Sequence, residues 1–417
     1  MANSASERSN WFQVGLAALS QNFATGMAFG GFGTMLLSVE SEYHASRSQS
    51  SLLLSLLVVS LSLTAAFLGR KLERWPIRPV MIAGALLGAG GFMLASLVDG
   101  IYPLLAVFLL VLGPATAMFG VLPSMTLASR WAAPARQGLA MGIVNMPVMV
   151  MLVPLSIAPI LEAYDVRNAF RALALAELLV ALALMLVRER PVANGGEPGV
   201  ALAEAAGDVG EAATKHETQA MLRSGILWLI VLAIGLIVGA GAMKITHMIP
   251  LLMEQGRTFD QANLLLALSG GAGLIGSFTF GWLADRIGGC RTLMLNALLQ
   301  AGMWTIFLFK VPMALLVADA LVVGACGGGA QAAFGAALIA LFGKRAFSNA
   351  LGLVSLLTIP FLFGISPVVS LVYEASGTYH IAMSMMVVGF LLAILALWHP
   401  ARVERRSGAN ALEGSAT

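Results

Sequence analysis

Twelve apolar stretches, most of them about 20 residues or longer, constrain this chain more than any other feature. A bilayer-crossing helix needs about 20 mostly apolar residues. Runs this long and continuous favour helices over the short alternating strands of a membrane barrel. The sequence therefore predicts an all-α membrane protein with twelve transmembrane helices. The predicted spans are Trp11–Val39, Ser50–Leu68, Val80–Val98, Tyr102–Ala128, Gly138–Leu161, Asn168–Val187, Gly225–Met253, Gln261–Ala284, Thr292–Phe309, Pro312–Phe342, Ser348–Tyr373 and His380–Trp398.

The composition excludes several other classes of protein. Hydrophobic residues make up 59% of the chain and charged residues only 11%, whereas a soluble domain carries roughly 25% charged residues. This deficit argues against a soluble fold, a disordered chain and a nucleic-acid binder. The two cysteines, Cys290 and Cys326, lie in different segments, which argues against a disulfide framework and a four-ligand zinc site. No phosphate loop or catalytic constellation is found, so we expect no enzyme, no cofactor and no bound nucleotide.

The distribution of Lys and Arg predicts the orientation. With both termini in the cytoplasm, 18 of the 24 basic residues fall on the cytoplasmic side, and Lys244 lies within a span. Such an excess sets topology during membrane insertion. We therefore expect cytoplasmic N- and C-termini in the inner membrane. The five basic residues on the other side are Arg47, Arg167, Arg171, Arg257 and Lys310.

The longest polar segment divides the spans six and six. It runs from Glu189 to Arg223, is rich in Ala, Gly and Glu, and lacks aromatic residues, which is typical of a flexible linker. The expected organisation is an N-terminal six-helix bundle at 1–188, a cytoplasmic linker at 189–223, a C-terminal six-helix bundle at 224–400 and a cytoplasmic tail at 401–417.

Two local sequences recur at nearly the same spacing. The first is Gly-Arg-Lys-Leu-Glu-Arg, which begins at Gly69, and its counterpart is Gly-Trp-Leu-Ala-Asp-Arg, which begins at Gly281. The two glycines are 212 positions apart. The second is Arg-Gln-Gly-Leu-Ala-Met-Gly, which begins at Arg136, and its counterpart begins at Arg345 and ends in Ala-Leu-Gly. The two arginines are 209 positions apart. Such matched offsets indicate duplicated six-helix bundles, as in many transporters.

The Gly-x-x-x-acid-Arg element begins at Gly69, after the second predicted span, and again at Gly281, after the eighth. It resembles the motif of the major facilitator superfamily. The second copy is close to the family pattern, whereas the first has Glu73 in place of Asp and Pro76 in place of Gly. The resemblance implies the major facilitator fold, with two pseudo-symmetric bundles that open alternately to each side. It also implies a cytoplasmic gate at Gly69, Glu73, Arg74, Arg136, Gly281, Asp285 and Arg286. The alternative is that these charges only set topology.

A finer resemblance is to the monocarboxylate porter and oxalate/formate antiporter branch. The segments that carry it are Glu42-Tyr-His-Ala-Ser-Arg47-Ser, Ser129-Arg-Trp131, Arg136-x-Gly138-x-Ala140-x-Gly142 and Tyr373-Glu-Ala-Ser-Gly377. That branch carries small organic anions. Unlike many of its members, this chain has no charge within 264–280 and no Lys or Arg within 348–373, which disfavours a dicarboxylate.

Three ionisable residues lie within spans, where each costs roughly 2.5–3.5 kcal/mol. Lys244 and Asp319 each lie roughly 10–14 Å from the external end of their spans. The resemblance to the major facilitator superfamily implies that spans seven and ten both line the central cavity, and so implies a pair: Lys244 to attract a carboxylate, and Asp319 to release it or carry a proton. The alternative is a static pair that joins two helices. His247, on roughly the same helical face as Lys244, is a candidate for substrate binding or for hydrogen bonding within the fold. Glu177 has either a structural role or a role in proton coupling.

Uncharged polar side chains in the spans are candidates for hydrogen bonds to substrate. Gln21 and Thr25 are four residues apart and share a helical face. Such residues also join membrane helices to one another, so both roles stay open. The candidates are Gln21, Asn22, Thr25, Asn145 and Gln331.

These features together predict a secondary carrier of the inner membrane, and they are compatible with a monomer. Its expected partners are a small or aromatic monocarboxylate, protons and the lipid bilayer, with no nucleic acid. One central cation, Lys244, without a second one favours a monoanion over a dianion. Two alternatives are an efflux carrier for lipophilic compounds and a non-transporting membrane sensor.

Overall fold

The computed structural model describes residues 2–72, 75–132, 137–189 and 218–414. Helices account for 89% of the residues, and no strand is found in this described part. Glu73, Arg74 and Arg136, three of the predicted gate residues, lie outside it. The helices fall into two compact units, Met1–Ala203 and Glu204–Thr417, called unit 1 and unit 2 below.

Unit 1 contains ten α-helices and two short π-helical segments. The π-helical segments are Gly26–Gly30, between α1 and α2, and Phe108–Leu112, between α5 and α6. The α-helices are α1 (Ala2–Thr25), α2 (Gly31–Glu42), α3 (Arg47–Lys71), α4 (Ile77–Ala95), α5 (Ile101–Val107), α6 (Gly113–Phe119), α7 (Val121–Trp131), α8 (Gln137–Val144), α9 (Val148–Ala163) and α10 (Val166–Leu184).

Unit 2 contains five longer helices: α11 (Gly225–Glu254), α12 (Phe259–Ile287), α13 (Gly289–Ile306), α14 (Met313–Ser376) and α15 (His380–Gly414). Within α14, Gly343 has a left-handed backbone (φ 81°) that breaks the helix into two limbs. The limbs, Met313–Gly343 and Ala350–Ser376, correspond to the tenth and eleventh predicted spans.

Each of the twelve predicted spans is occupied by one or more helices, which confirms the all-α membrane fold. In the described residues, nine helical segments are long and apolar enough to cross a bilayer. The other three predicted spans correspond to α1–α2, α10 and α13. Among these, α10 carries three charged side chains within its 19 residues, Arg167, Arg171 and Glu177.

One end of each unit is closed by equivalent contacts. In unit 1, Arg167 Nε donates to Glu42 Oε1 at 2.7 Å. In unit 2, the Tyr379 amide donates to Glu254 Oε2 at 3.2 Å. Glu254 and Tyr379 each lie 212 positions after Glu42 and Arg167, the same offset as the glycine motif. Each glutamate thus ties the end of its unit's first spanning helix to the start of its last.

The residue that follows each of these glutamates, Tyr43 or Gln255, also forms a matched contact in its unit. The Tyr43 hydroxyl donates to the Ala95 carbonyl at 2.8 Å, and Gln255 Nε2 donates to the Phe307 carbonyl, again 212 positions later in both partners. Burial raises the pKa of Tyr43 to about 12, so the hydroxyl keeps its proton and remains a donor. These bonds satisfy carbonyls that a helix C-terminus leaves without partners.

At the opposite end, a carboxylate caps one helix in each unit. Glu189 Oε1 accepts the Arg78 amide of α4 at 2.7 Å. Glu404 accepts two amides of α13, from Gly289 at 2.7 Å and Cys290 at 2.9 Å. Negative charge at a helix N-terminus satisfies free amides and complements the helix dipole. The duplication is therefore preserved in individual contacts as well as in sequence.

We predict that Glu404→Ala lowers the unfolding free energy of the protein by about 1–2 kcal/mol, because two α13 amides lose their acceptor. Thermal unfolding of the purified full chain in detergent measures this. Asp285→Ala is the matched control, since it removes an exposed carboxylate at the C-terminal end of α12, just before α13 begins. Equal unfolding temperatures for the two variants would contradict the capping role.

Candidate functional site

Lys244 is anchored by one hydrogen bond between two helices of unit 2. Its Nζ on α11 donates to Ser269 Oγ on α12 at 2.9 Å, and Ser269 is buried. Gly324 on α14 lies so close to Ser269 that a Cβ at position 324 would overlap the Ser269 backbone. Small residues at such crossings let helix backbones approach closely. This close packing brings the first limb of α14 next to the Lys244 anchor.

The Lys244 ammonium lies beside an exposed face of α14. A Cβ added to Gly327 would lie 3.7 Å from Lys244 Nζ, and Gly327 is exposed. Gln331 lies one turn further along α14 and is also exposed. An ammonium group has three donors, of which Ser269 takes one. Lys244 therefore has donors left for a ligand that reaches this face.

Asp319 is fully buried, with 0% of its surface exposed. Neither of its carboxylate oxygens has a hydrogen-bond partner, so the predicted Lys244–Asp319 pair is not joined by a hydrogen bond. The two groups still interact electrostatically. A buried carboxyl group with no donor is costly to keep charged, and this arrangement leaves Asp319 able to take a proton or the Lys244 ammonium.

His247 hydrogen-bonds to a different set of polar groups from the one around Lys244. Its Nδ1 lies 3.0 Å from the Tyr379 hydroxyl, and its Nε2 lies 3.1 Å from the Ser366 carbonyl. Because a carbonyl can only accept, Nε2 carries the proton and Nδ1 accepts from Tyr379. The Ser370 hydroxyl lies 3.3 Å from the same Nε2. The fully buried ring thus joins α11, the second limb of α14, and the residue preceding α15.

In unit 1, Asn22 caps a helix. Its Oδ1 accepts the amides of Val148 at 2.9 Å and Met149 at 3.3 Å, and its Nδ2 donates to the Ala18 carbonyl at 3.0 Å. Val148 and Met149 are the first residues of α9, just after the break that follows α8. Asn22 therefore satisfies the free amides where the fifth predicted span is interrupted.

The other polar candidates of unit 1 have different surroundings. Thr25 Oγ1 donates to the Gln21 carbonyl at 2.7 Å, a bond within the helix. The buried Gln21 Oε1 has no hydrogen-bond partner, so it remains an acceptor. Asn145 is exposed in the turn between α8 and α9.

Glu177 on α10 is buried against Gly88 on α4. A Cβ at position 88 would overlap the Glu177 carboxyl group, so glycine leaves the space that this side chain fills. Glu177 Oε2 is buried without a hydrogen-bond partner. The geometry makes Glu177 part of the α4–α10 interface.

Four of the predicted gate residues lie within the described part. Gly69 lies in α3 and Gly281 in α12. Asp285 and Arg286 are exposed at the end of α12, where the Arg286 guanidinium lies 4.0 Å from the centroid of the Trp282 ring system. The cap of the following helix, α13, comes from Glu404 and not from the motif acid.

Sequence reasoning missed Ser269, Gly327 and Glu404. Ser269 and Gly327 lie in runs of small residues, Ser-Gly-Gly-Ala and Gly-Gly-Gly-Ala, which indicate close helix packing without showing which cation lies nearby. Glu404 was assigned to a cytoplasmic tail, and only the continuation of α15 to Gly414 brings it to α13. A matched acid after each bundle, Glu189 and Glu404, was the available signal.

Solved structures with the same fold are transporters. A bacterial homolog of the human lysosomal transporter Spinster, inward-facing and unoccupied, aligns with a TM-score of 0.72 at 14% identity, covering 96% of this chain and 98% of that one. A D-xylose–proton symporter aligns at 0.68 and 14% identity, covering 93% and 97%. A nucleoside transporter aligns at 0.69 and 15% identity, covering 93% and 98%.

Sequence comparison identifies the family. No curated protein matches the chain by sequence. The model of the Major Facilitator Superfamily, however, matches residues 18–259 and again 248–416, one match for each six-helix half. The helical units, the repeated contacts and this double match lead to one conclusion: the chain is an integral membrane protein that belongs to the Major Facilitator Superfamily of transporters.

Proposed function

We propose that this transporter moves a small monocarboxylate together with a proton, by alternating access of its two bundles. The observation that carries the proposal is the Lys244 ammonium, anchored by Ser269 at 2.9 Å beside the exposed Gly327 and Gln331. A cation with free donors next to an exposed polar face suits a carboxylate, whose two oxygens accept charge-assisted hydrogen bonds.

One cation favours one negative charge. Apart from Arg171, the fourth residue of the sixth predicted span, Lys244 is the only Lys or Arg within the twelve predicted spans, and the Gln331 amide adds a neutral donor. A dianion would leave one charge without a partner in a desolvated site, which is costly. This balance supports a monoanion.

Asp319 supplies the proposed proton site. Its buried carboxyl group lacks hydrogen bonds but interacts electrostatically with Lys244. When substrate leaves, Lys244 and Asp319 attract one another; when a carboxylate binds Lys244, Asp319 takes a proton to avoid an unpaired buried charge. Substrate and proton binding are thereby coupled. Glu177 and His247, packed in their own interfaces, are assigned structural roles.

The cellular arrangement belongs to the same proposal. The cytoplasmic membrane, with both termini inside, is supported by the distribution of Lys and Arg. Bundles at 1–188 and 224–400, joined by a linker at 189–223, provide the two moving parts, and the repeated Gly-x-x-x-acid-Arg loops provide the cytoplasmic gate.

We predict that Lys244→Ala weakens binding of the preferred monocarboxylate about 10- to 100-fold, because a hydrogen bond to a charged group is lost. Thermal-shift titration with acetate, lactate, benzoate, oxalate and tetraphenylphosphonium identifies the ligand. Uptake into proteoliposomes then tests transport, with Lys310→Ala, which removes an exposed lysine outside the spans, as the control.

Two outcomes would overturn the assignment. Stabilisation by tetraphenylphosphonium and by no carboxylate would favour efflux of lipophilic cations. Undiminished uptake by both Lys244→Ala and Asp319→Asn would remove the proposed site. With the site intact, Asp319→Asn is expected to keep carboxylate binding but to abolish uptake driven by a pH gradient.

We also predict that Gly327→Leu lowers carboxylate affinity at least tenfold while the Lys244 charge is unchanged. A side chain at this position would contact the ammonium, since even its Cβ would lie 3.7 Å from Nζ. Gly335→Leu, two turns further along α14 and with no atom near its Cβ position, serves as the control. Equal affinities in the two variants would show that ligand does not approach along this face.

A further inference from the structure

A cavity of about 440 Å³ lies at the end of unit 2 where α12 turns into α13. Residues from the ends of α12, α13 and α15 and from the first limb of α14 surround it. The residues that matter here are Ile287, Arg291, Ala340, Ala401, Glu404 and Arg405. It is separate from the Lys244 site, which lies in the middle of the spanning helices.

Among the described residues that line this cavity, two arginines outnumber one glutamate, so the lining carries a net positive charge. Arg291 and Arg405 are exposed, and neither forms a hydrogen bond or ion pair with another residue in the described part of the chain. Glu404, the acid in the same lining, directs its two oxygens to the Gly289 and Cys290 amides and forms no ion pair with either arginine. The cavity therefore offers positive charge to a ligand.

Two tryptophans place this cavity at the membrane surface. Trp282 on α12 and Trp398 on α15 are 54% and 53% exposed, and exposed tryptophans concentrate at the boundary between lipid tails and water. One turn beyond each tryptophan, an arginine guanidinium lies over the ring. The distance from the guanidinium carbon to the ring centroid is 4.0 Å for Arg286 over Trp282 and 5.3 Å for Arg402 over Trp398. The cavity begins at the same level, which is the depth of lipid headgroups.

The walls of the cavity select between ligands. Its base is alkyl, from Ile287, Ala340 and Ala401, and suits a glycerol backbone and the start of an acyl chain better than a free ion. The guanidinium groups of Arg291 and Arg405 suit phosphate oxygens. They would repel the choline group of a zwitterionic lipid, so charge favours a lipid with net negative charge.

From this geometry we infer that Arg291 and Arg405 form a binding site for the headgroup of an anionic phospholipid, with its glycerol region in the cavity. Basic pockets between membrane helices recognise such headgroups in this way. The site is independent of the transported substrate.

The test is a lipid titration of the purified full chain in neutral detergent. The unfolding temperature is followed against dioleoyl-phosphatidylglycerol, dioleoyl-phosphatidylcholine and inorganic phosphate, since a ligand of the folded state raises it with concentration. We expect stabilisation by phosphatidylglycerol at concentrations where the other two have no effect. The double variant R291Q/R405Q is expected to bind phosphatidylglycerol about tenfold more weakly.

Two further variants make the result decisive. R223Q/K310Q removes two exposed cations outside the cavity and is expected to bind phosphatidylglycerol like the unmodified protein. Ala340→Trp fills the cavity without changing charge and is expected to weaken lipid binding. Equal affinity of R291Q/R405Q and R223Q/K310Q, or equal stabilisation by inorganic phosphate, would overturn the inference.

Discussion

A polar group that leaves water must find its partner within the protein, and this requirement shapes both units. The free amides of α4 and α13 meet Glu189 and Glu404, and those of α9 meet Asn22. The carbonyls at the opposite ends of α4 and α13 meet Tyr43 and Gln255. Each of these helix ends therefore has a specific side-chain partner from another part of its unit.

Sequence reasoning succeeded where one strong physical signal acts over many residues. Apolar length identified the twelve helices, and matched loops at an offset of 212 identified the duplication. The first depends only on the composition of each segment, and the second only on the comparison of two segments of the same chain. The same offset then recurs in Glu42–Arg167 and Glu254–Tyr379, although the partners differ in chemistry and could not be paired from the sequence.

Individual polar contacts were harder to predict because a helical face admits several neighbours. Lys244 and His247 are three residues apart, yet one reaches Ser269 and the other reaches Tyr379. Asn22 was a candidate for substrate binding but caps α9, since the chain breaks just before Val148. Which neighbour a polar side chain meets is decided by helix rotation and crossing, and these depend on the packing of small residues elsewhere.

The contact between Glu177 and Gly88 has an evolutionary consequence. The carboxyl group occupies the volume that any Cβ at position 88 would need, so position 88 cannot gain a side chain while Glu177 is retained. In a relative where position 88 gains a side chain, position 177 must shrink or α4 and α10 must separate. The two positions should therefore exchange together across related carriers, as a compensated pair 89 residues apart in the chain.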